Sequence, residues 1–135
     1  MQTFLPYADF KQSAKALDYK RLGKQRVEAW QIYQIVSKHI TQGGWVNHPA
    51  VKMWRWYPNA LAKYYNLMVL EWLDRGYRNT MKPIRMEFPI EYPTFVGDVD
   101  FHNSHRSNLL RKDPEYYSQF GWDVPDDLPY ICPIY

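Results

Sequence analysis

Apolar residues recur at helical spacing through three stretches of the chain and lose that rhythm between them. Leu22, Ala29, Tyr33, Val36 and Ile40 fall near one stripe, and Asp9 upstream is a suitable cap. The pattern therefore predicts a first helix from about Asp9 to Ile40, closed by Gly43-Gly44, whose first half is mostly polar and basic. Ala50, Met53, Trp54 and Tyr57 stand at i, i+3, i+4 and i+7 after a possible cap at Asn47, predicting a second helix that Pro58 kinks or restarts. Leu61, Tyr64, Tyr65, Met68 and Trp72 continue its inward face as far as Gly76, a residue suited to the left-handed position after a helix.

Residues 77–97 break the rhythm with Pro83, Pro89, Pro93 and Gly97, so a long irregular connection is expected, with at most a strand-like fragment. Asp98 or Asp100 then caps a third helix through SHRSNLLRK. Asp113-Pro114-Glu115 reads as a fresh cap with proline at the first helical position, opening a short helix that carries Tyr116, Tyr117 and Phe120 to Gly121. The tail sets Pro125, Pro129 and Pro133 among Trp122, Leu128, Tyr130, Ile131 and Tyr135. It is too apolar to float freely and is expected to wrap the helices as an extended strap. The expected fold is all-α: a compact single domain over residues 1–135, with about three main helices, a long proline-rich connection and an extended aromatic C-terminal tail.

Composition narrows the setting. Apolar residues make up 46% and charged residues 23%, which argues against disorder, and no apolar run approaches the roughly 20 residues needed to span a bilayer. Cys132 is the only cysteine and MQTFLPYADF lacks the features of a signal peptide, so a reducing, cytoplasmic setting is expected, with no membrane partner. The protein is expected to be a monomer and to need no cofactor.

Charge changes the picture further. Residues 1–85 carry 14 Lys and Arg against 5 Asp and Glu, a balance of +9, whereas residues 86–135 carry 3 against 9, a balance of −6. Aromatics are 18% of the chain. A basic face with interleaved rings suits nucleic acid, because Lys and Arg displace phosphate counterions while ring faces stack on unpaired bases. A solvated helix surface over an aromatic core is the plainer alternative.

Within the first helix, LDYKRLGKQRVEA places Asp18, Arg21, Gln25 and Glu28 along one face with Lys20 and Lys24 beside them. Glu28 is thus a carboxylate among cations, available to stabilise a developing positive charge or to move a proton. An ordinary Lys24–Glu28 surface pair, worth about 0.3 to 0.5 kcal/mol, is the competing account. FHNSHRSNLLRKD aligns His102, His105, Arg106 and Leu109 on one side of the third helix, and Ser104, Asn108 and Arg111 on another. Phosphate contact is the expected use of His102, His105, Arg106 and Arg111, with Ser104 and Asn108 as short hydrogen-bond donors and a packed, hydrogen-bonded histidine as the alternative. No third ligand with recognisable spacing joins the two histidines, so no metal is expected. Asn47-His48-Pro49 reads as a helix start that can also hold a phosphate. One tryptophan on the basic side can fill the gap left by an extruded base. The chain has no glycine-rich phosphate loop, GxSxG elbow, Cys-His pairing or CxxC pair, so kinase, hydrolase and zinc-finger readings lack support.

These segments, taken in order, resemble the pyrimidine-dimer DNA glycosylases, small helical repair enzymes that remove a damaged base and then cut the backbone as a lyase. The likeness runs through LGKQRVE, WVNHPAVKMW, LDRGYRNT, SHRSNLLRK and YYSQFGW. The resemblance implies duplex DNA with a damaged or modified base as partner, the N-terminal α-amine as nucleophile at the sugar C1′, and a helical glutamate assisting. An α-amine is less basic than a lysine, so an appreciable neutral fraction exists near physiological pH. Gln2 is too large for ordinary methionine excision, which leaves the amine on Met1. Arg26 followed by Glu28 resembles the family's Arg-Glu step with one residue inserted; aligning Asp18-Tyr19-Lys20 instead puts Arg21 at the glutamate's place. The implied catalytic residues are Met1 and Glu28. Arg21, Lys24, Arg26, His48, His105, Arg106, Asn108 and Arg111 are the expected DNA contacts. A binding module without chemistry, or a metal-dependent nuclease using His102 and His105, are the alternatives.

Overall fold

In a computed structural model, which describes residues 1–133, every regular element is helical. The order is α1 (Phe10–Ala16), α2 (Tyr19–Ser37), α3 (Pro49–Trp54), α4 (Pro58–Asp74), α5 (Val99–Lys112) and α6 (Pro114–Tyr117), followed by a 3-10 turn at Ser118–Phe120. The three long helices are α2, α4 and α5. No helix among the described residues is long and apolar enough to cross a membrane.

The expected first helix is two helices. Asp9 caps α1 by accepting the Gln12 N–H at 3.0 Å, but Leu17 and Asp18 then adopt extended backbone, with ψ of 140° and 160°. Leu17 turns wholly into the core. Tyr117 holds the break open: its hydroxyl donates to Asp18 Oδ1 and accepts the Asp18 backbone N–H at 3.1 Å. A phenol far away in sequence thus replaces intrahelical bonds at this turn. α2 also stops at Ser37, short of Ile40, because His39 takes the left-handed conformation, φ +52°. Ile40 consequently stands exposed.

α2 and α4 form the central pair. Gly23 permits their close approach, since a Cβ there would lie 2.8 Å from the Trp72 ring. The Phe10 ring packs edge-on against Trp54 and Tyr64, whose own rings meet at a tilt of 39°. The cap of α3 is His48 rather than Asn47: His48 Nδ1 accepts the Ala50 N–H at 3.0 Å. α4 starts at Pro58, and Gly76 follows it at φ +86°. Residues 77–97 form no strand and are tied along α4, where Tyr65 Oη donates to the Lys82 carbonyl and the Asn66 amide pairs with both backbone groups of Ile84.

The tail is a strap, as its composition suggests. Leu128 N–H donates to Ser107 Oγ, Ile131 N–H donates to Ser104 Oγ, and Arg111 donates to the Asp126 carbonyl. Tyr135 lies outside the described residues. Beneath the strap, residues 3–5 run buried between α4 and α5. Phe4 N–H donates to Tyr64 Oη at 2.9 Å, Leu5 N–H donates to His105 Nδ1 at 3.0 Å, and Tyr130 Oη donates to the Thr3 carbonyl at 2.6 Å.

His105 is the pin of this arrangement. It is fully buried, accepts from Leu5 through Nδ1 and donates from Nε2 to the Ile131 carbonyl at 3.0 Å. Burial pulls its pKa down to about 3, outweighing the bond to Ile131. An unfolded chain takes up a proton here below pH 6.5, while the folded chain refuses it until far lower. Stability therefore falls with pH by about 2 kcal/mol between pH 7 and pH 5 from this group. Urea midpoints across that interval should show the loss, and His105→Gln should flatten the dependence while lowering stability at pH 7.

Candidate active site around the N-terminal amine

The buried run of residues 3–5 delivers Met1 and Gln2 to the exposed edge of α2. There Gln25, one turn before Glu28, organises the surroundings. Its Nε2 donates to the Gln2 carbonyl at 2.8 Å and to Glu28 Oε2 at 2.9 Å, while its Oε1 accepts the Tyr64 hydroxyl at 2.6 Å. Two acceptors on one side and a donor on the other leave the amide a single orientation. Tyr64 is wholly buried, which raises its pKa and keeps it a donor. Glu28 Oε2 also lies 3.5 Å from the Gln2 N–H. The Lys24 pair, at 4.0 Å with the lysine largely in water, is the weakest contact of this carboxylate. The surface-ladder account does not explain why a buried glutamine and tyrosine hold Glu28 from behind.

Met1 N lies 3.4 Å from His48 Nε2. Because Nδ1 accepts the Ala50 N–H as the α3 cap, the neutral ring carries its proton on Nε2. Partial burial, and then the charge at the N-terminus, lower the His48 pKa against the pull of Glu28, favouring that neutral ring. Nε2–H can donate only to an amine whose lone pair is free. The helix cap thus selects a tautomer that complements the nucleophilic form of the amine.

Met1, Gln2, Phe4, Gln25 and Glu28 share a cleft of about 290 Å³ with Lys20, Arg21, Lys24 and Lys112. Four cations face one carboxylate. Arg21 is held by Asp18 at 3.2 Å, and Asp18 by Tyr117, so the break before α2 also aims this guanidinium. Desolvation first, and then Arg21, Lys24 and Arg111, lower the Lys112 pKa, while Glu28 opposes the shift.

Met1, Glu28, Arg21, Lys24 and His48 are therefore gathered at one place. Five other expected contacts are not. Arg26 points to the opposite side of α2, bonded to Asn79 and lying 4.5 Å over the Trp72 ring. Burial removes His105 and Asn108 from any phosphate; both His105 nitrogens are engaged, and Asn108 Oδ1 is enclosed without a partner. Arg106 donates to the Pro6 carbonyl at 2.7 Å and covers the Tyr7 and Trp122 rings, while Arg111 holds the strap. The nuclease alternative loses its ligands: His102 donates from Nδ1 to the Leu5 carbonyl and accepts the Gly97 N–H at Nε2. No group of three or more potential metal ligands occurs among the described residues.

Tyr64 and Lys112 join the surroundings of Glu28 without having been expected there, while Gln25 and Lys20 stood beside Glu28 in the pattern without an assigned role. Gln25 was legible as a member of the Arg21–Glu28 face. Lys112, the last residue of α5, carried no signal beyond its charge.

The N-terminal residue and one carboxylate thus share a cationic cleft on a small helical fold. The sequence profile of the pyrimidine dimer DNA glycosylases matches residues 1–84, well over half of the chain. The chain belongs to that family, whose function is DNA repair of the glycosylase type. The matched region runs from the N-terminus through α4 and contains every cleft residue except Lys112. No curated protein and no solved structure matches the chain.

Proposed function

We propose that the protein is a DNA glycosylase and abasic-site lyase that works on a damaged or modified base in duplex DNA through a Schiff base to the Met1 α-amine. The observation that carries this reading is the placement of Met1 and Glu28 on one cleft wall, joined through Gln2 and Gln25 and ringed by Lys20, Arg21, Lys24 and Lys112.

The neutral amine attacks C1′, and the base departs with the electron pair of the glycosidic bond and a proton. Glu28, on the wall of the same cleft, balances positive charge on the sugar as that bond breaks. Ring opening takes a proton from water onto O4′ and leaves an iminium between the amine, which keeps one of its two protons after giving the other to the departing base, and C1′. The iminium acidifies C2′. Glu28 then takes a C2′ proton, the C3′–O bond breaks, and the phosphate leaves with that bond's electrons. Water hydrolyses the imine and returns the amine. The four cations hold the flanking phosphates and keep the deformed duplex in place.

Borohydride reduction tests the reading directly, because it converts the imine into a stable link. The expected result is a protein–DNA adduct on a duplex containing an abasic site, mapping to the N-terminal peptide. Salt-sensitive binding with no adduct would leave a binding module as the better account.

His48 has a separable role in orienting the amine. Asparagine caps a helix start at least as well but has a different side-chain reach, so His48→Asn should preserve thermal stability and slow adduct formation about 10-fold, the size of one lost hydrogen bond. Single-turnover trapping rates beside melting curves measure both effects.

A further inference from the structure

A groove of about 280 Å³ opens between the end of α2, the loop that follows it and α3, and it shares no residue with the cationic cleft. Its lining is mostly aliphatic, with Ile35, Val46 and Val51 among the contributors. The end of α2 shapes one rim. His39 takes the left-handed conformation and the Ile40 N–H returns to the Ile35 carbonyl at 3.1 Å, which turns the chain back and leaves Ile40 42% exposed. Trp56 also lines the groove and is 61% exposed. Arg55 lies beside these apolar groups. One Nη atom is fixed on the Val46 carbonyl at 2.9 Å, and the rest of the guanidinium makes no hydrogen bond or ion pair among the described residues. No Asp or Glu lines the groove, and none occurs from Ala29 to Leu70, a stretch that holds Lys38, Lys52, Arg55 and Lys63.

We infer that this groove docks an acidic peptide segment of a partner protein, one that ends in an apolar side chain and a free C-terminal carboxylate. Charge complementarity carries the assignment. A guanidinium tethered at one nitrogen still has donors for a carboxylate, and the tether limits the freedom it loses when it binds one. The aliphatic lining takes the last side chain of the peptide, covering apolar surface that otherwise faces water. Acidic residues further up the peptide meet a surface segment without a single like charge. Duplex DNA is served worse here. Its phosphates need a row of cations, which the Met1 cleft supplies, and they gain nothing from isoleucine and valine. Because the groove and the cleft share no residue, the protein can hold such a partner and a duplex together.

Fluorescence anisotropy with the full-length protein tests this. The probe is a fluorescein-labelled peptide, Asp-Glu-Asp-Gly-Leu-Phe with a free carboxylate, beside the same peptide ending in an amide. The free acid should bind saturably, and both the amide and Arg55→Gln should weaken binding about 10-fold, the size of one lost hydrogen bond to a charged group. Ile40→Asp should weaken it as much by setting a like charge at the rim, and because Ile40 is exposed the melting curve should not move. Neither variant should alter borohydride trapping on an abasic duplex, so failure of the glycosylase reading and failure of this one are read separately. Equal binding of acid and amide, no response to Ile40→Asp, or no saturable binding up to about 1 mM protein overturns the inference. Displacement of the peptide by an undamaged duplex overturns it in favour of DNA, and self-association that Ile40→Asp abolishes overturns it in favour of a second copy of the chain.

Discussion

Extending the N-terminus by two residues should abolish borohydride trapping on an abasic duplex, a loss of at least about 10²-fold, while DNA binding changes little. Each added residue moves the amine by up to about 3.5 Å, and an imine needs its nitrogen within bonding approach of C1′. The unextended protein places Met1 N beside His48 by burying residues 3–5 between α4, α5 and the strap, so the amine has little freedom to drift. Gln2 should keep Met1 in place, and intact mass without loss of one methionine checks that premise. Persistent trapping by the extended protein would transfer the nucleophile to a lysine. Peptide mapping would then look first at Lys112, the cleft lysine whose pKa is lowered.

Glu28→Gln should reduce base release by about 10² to 10⁴, the range for a lost general acid or base. The substitution is nearly isosteric, and the new amide oxygen can still accept from Gln25 and from the Gln2 N–H, so the fold should not respond. What disappears is the negative charge facing the sugar and the base that removes the C2′ proton. Backbone cleavage at a preformed abasic site should fall by a similar factor. Trapping should fall much less, since imine formation does not require that proton transfer. Measuring release, cleavage and trapping on matched duplexes distinguishes this pattern from simple loss of affinity, which would lower all three together. Full base release by the variant would remove Glu28 from the mechanism.

Local chemistry fixed several boundaries that the sequence displays openly. Pro58, Gly76, Asp98 and Asp113-Pro114 act where their backbone preferences say they should. The break at Leu17–Asp18 was not legible, because the group that stabilises it is Tyr117, and no local pattern announces so distant a partner. At α3, two adjacent residues could cap, and the side chain that bonds is His48. Periodicity grouped the residues of α5 correctly but could not say that both groups turn inward, since the strap covers what would otherwise be its solvent face. His105 and Asn108 are enclosed for that reason. Arg26 is turned from the cleft for a geometric one: two residues from Glu28 on a helix, it points roughly 200° away. Arg21, Gln25 and Glu28, at i, i+4 and i+7, share a face in the structure as their spacing requires.

The strap has a consequence for the order of events during synthesis. The segment that carries the α-amine is made well before two groups that hold it, the Tyr130 hydroxyl on Thr3 and the Ile131 carbonyl behind His105. A ribosome that has translated as far as α5 has already built the amine, the carboxylate and all four cleft cations. It has not yet built the clamp that sets them in register. Long-range closure of this kind comes late in folding. A nascent chain that reaches only as far as α5 therefore carries the cleft residues without the strap that sets residues 3–5 in register.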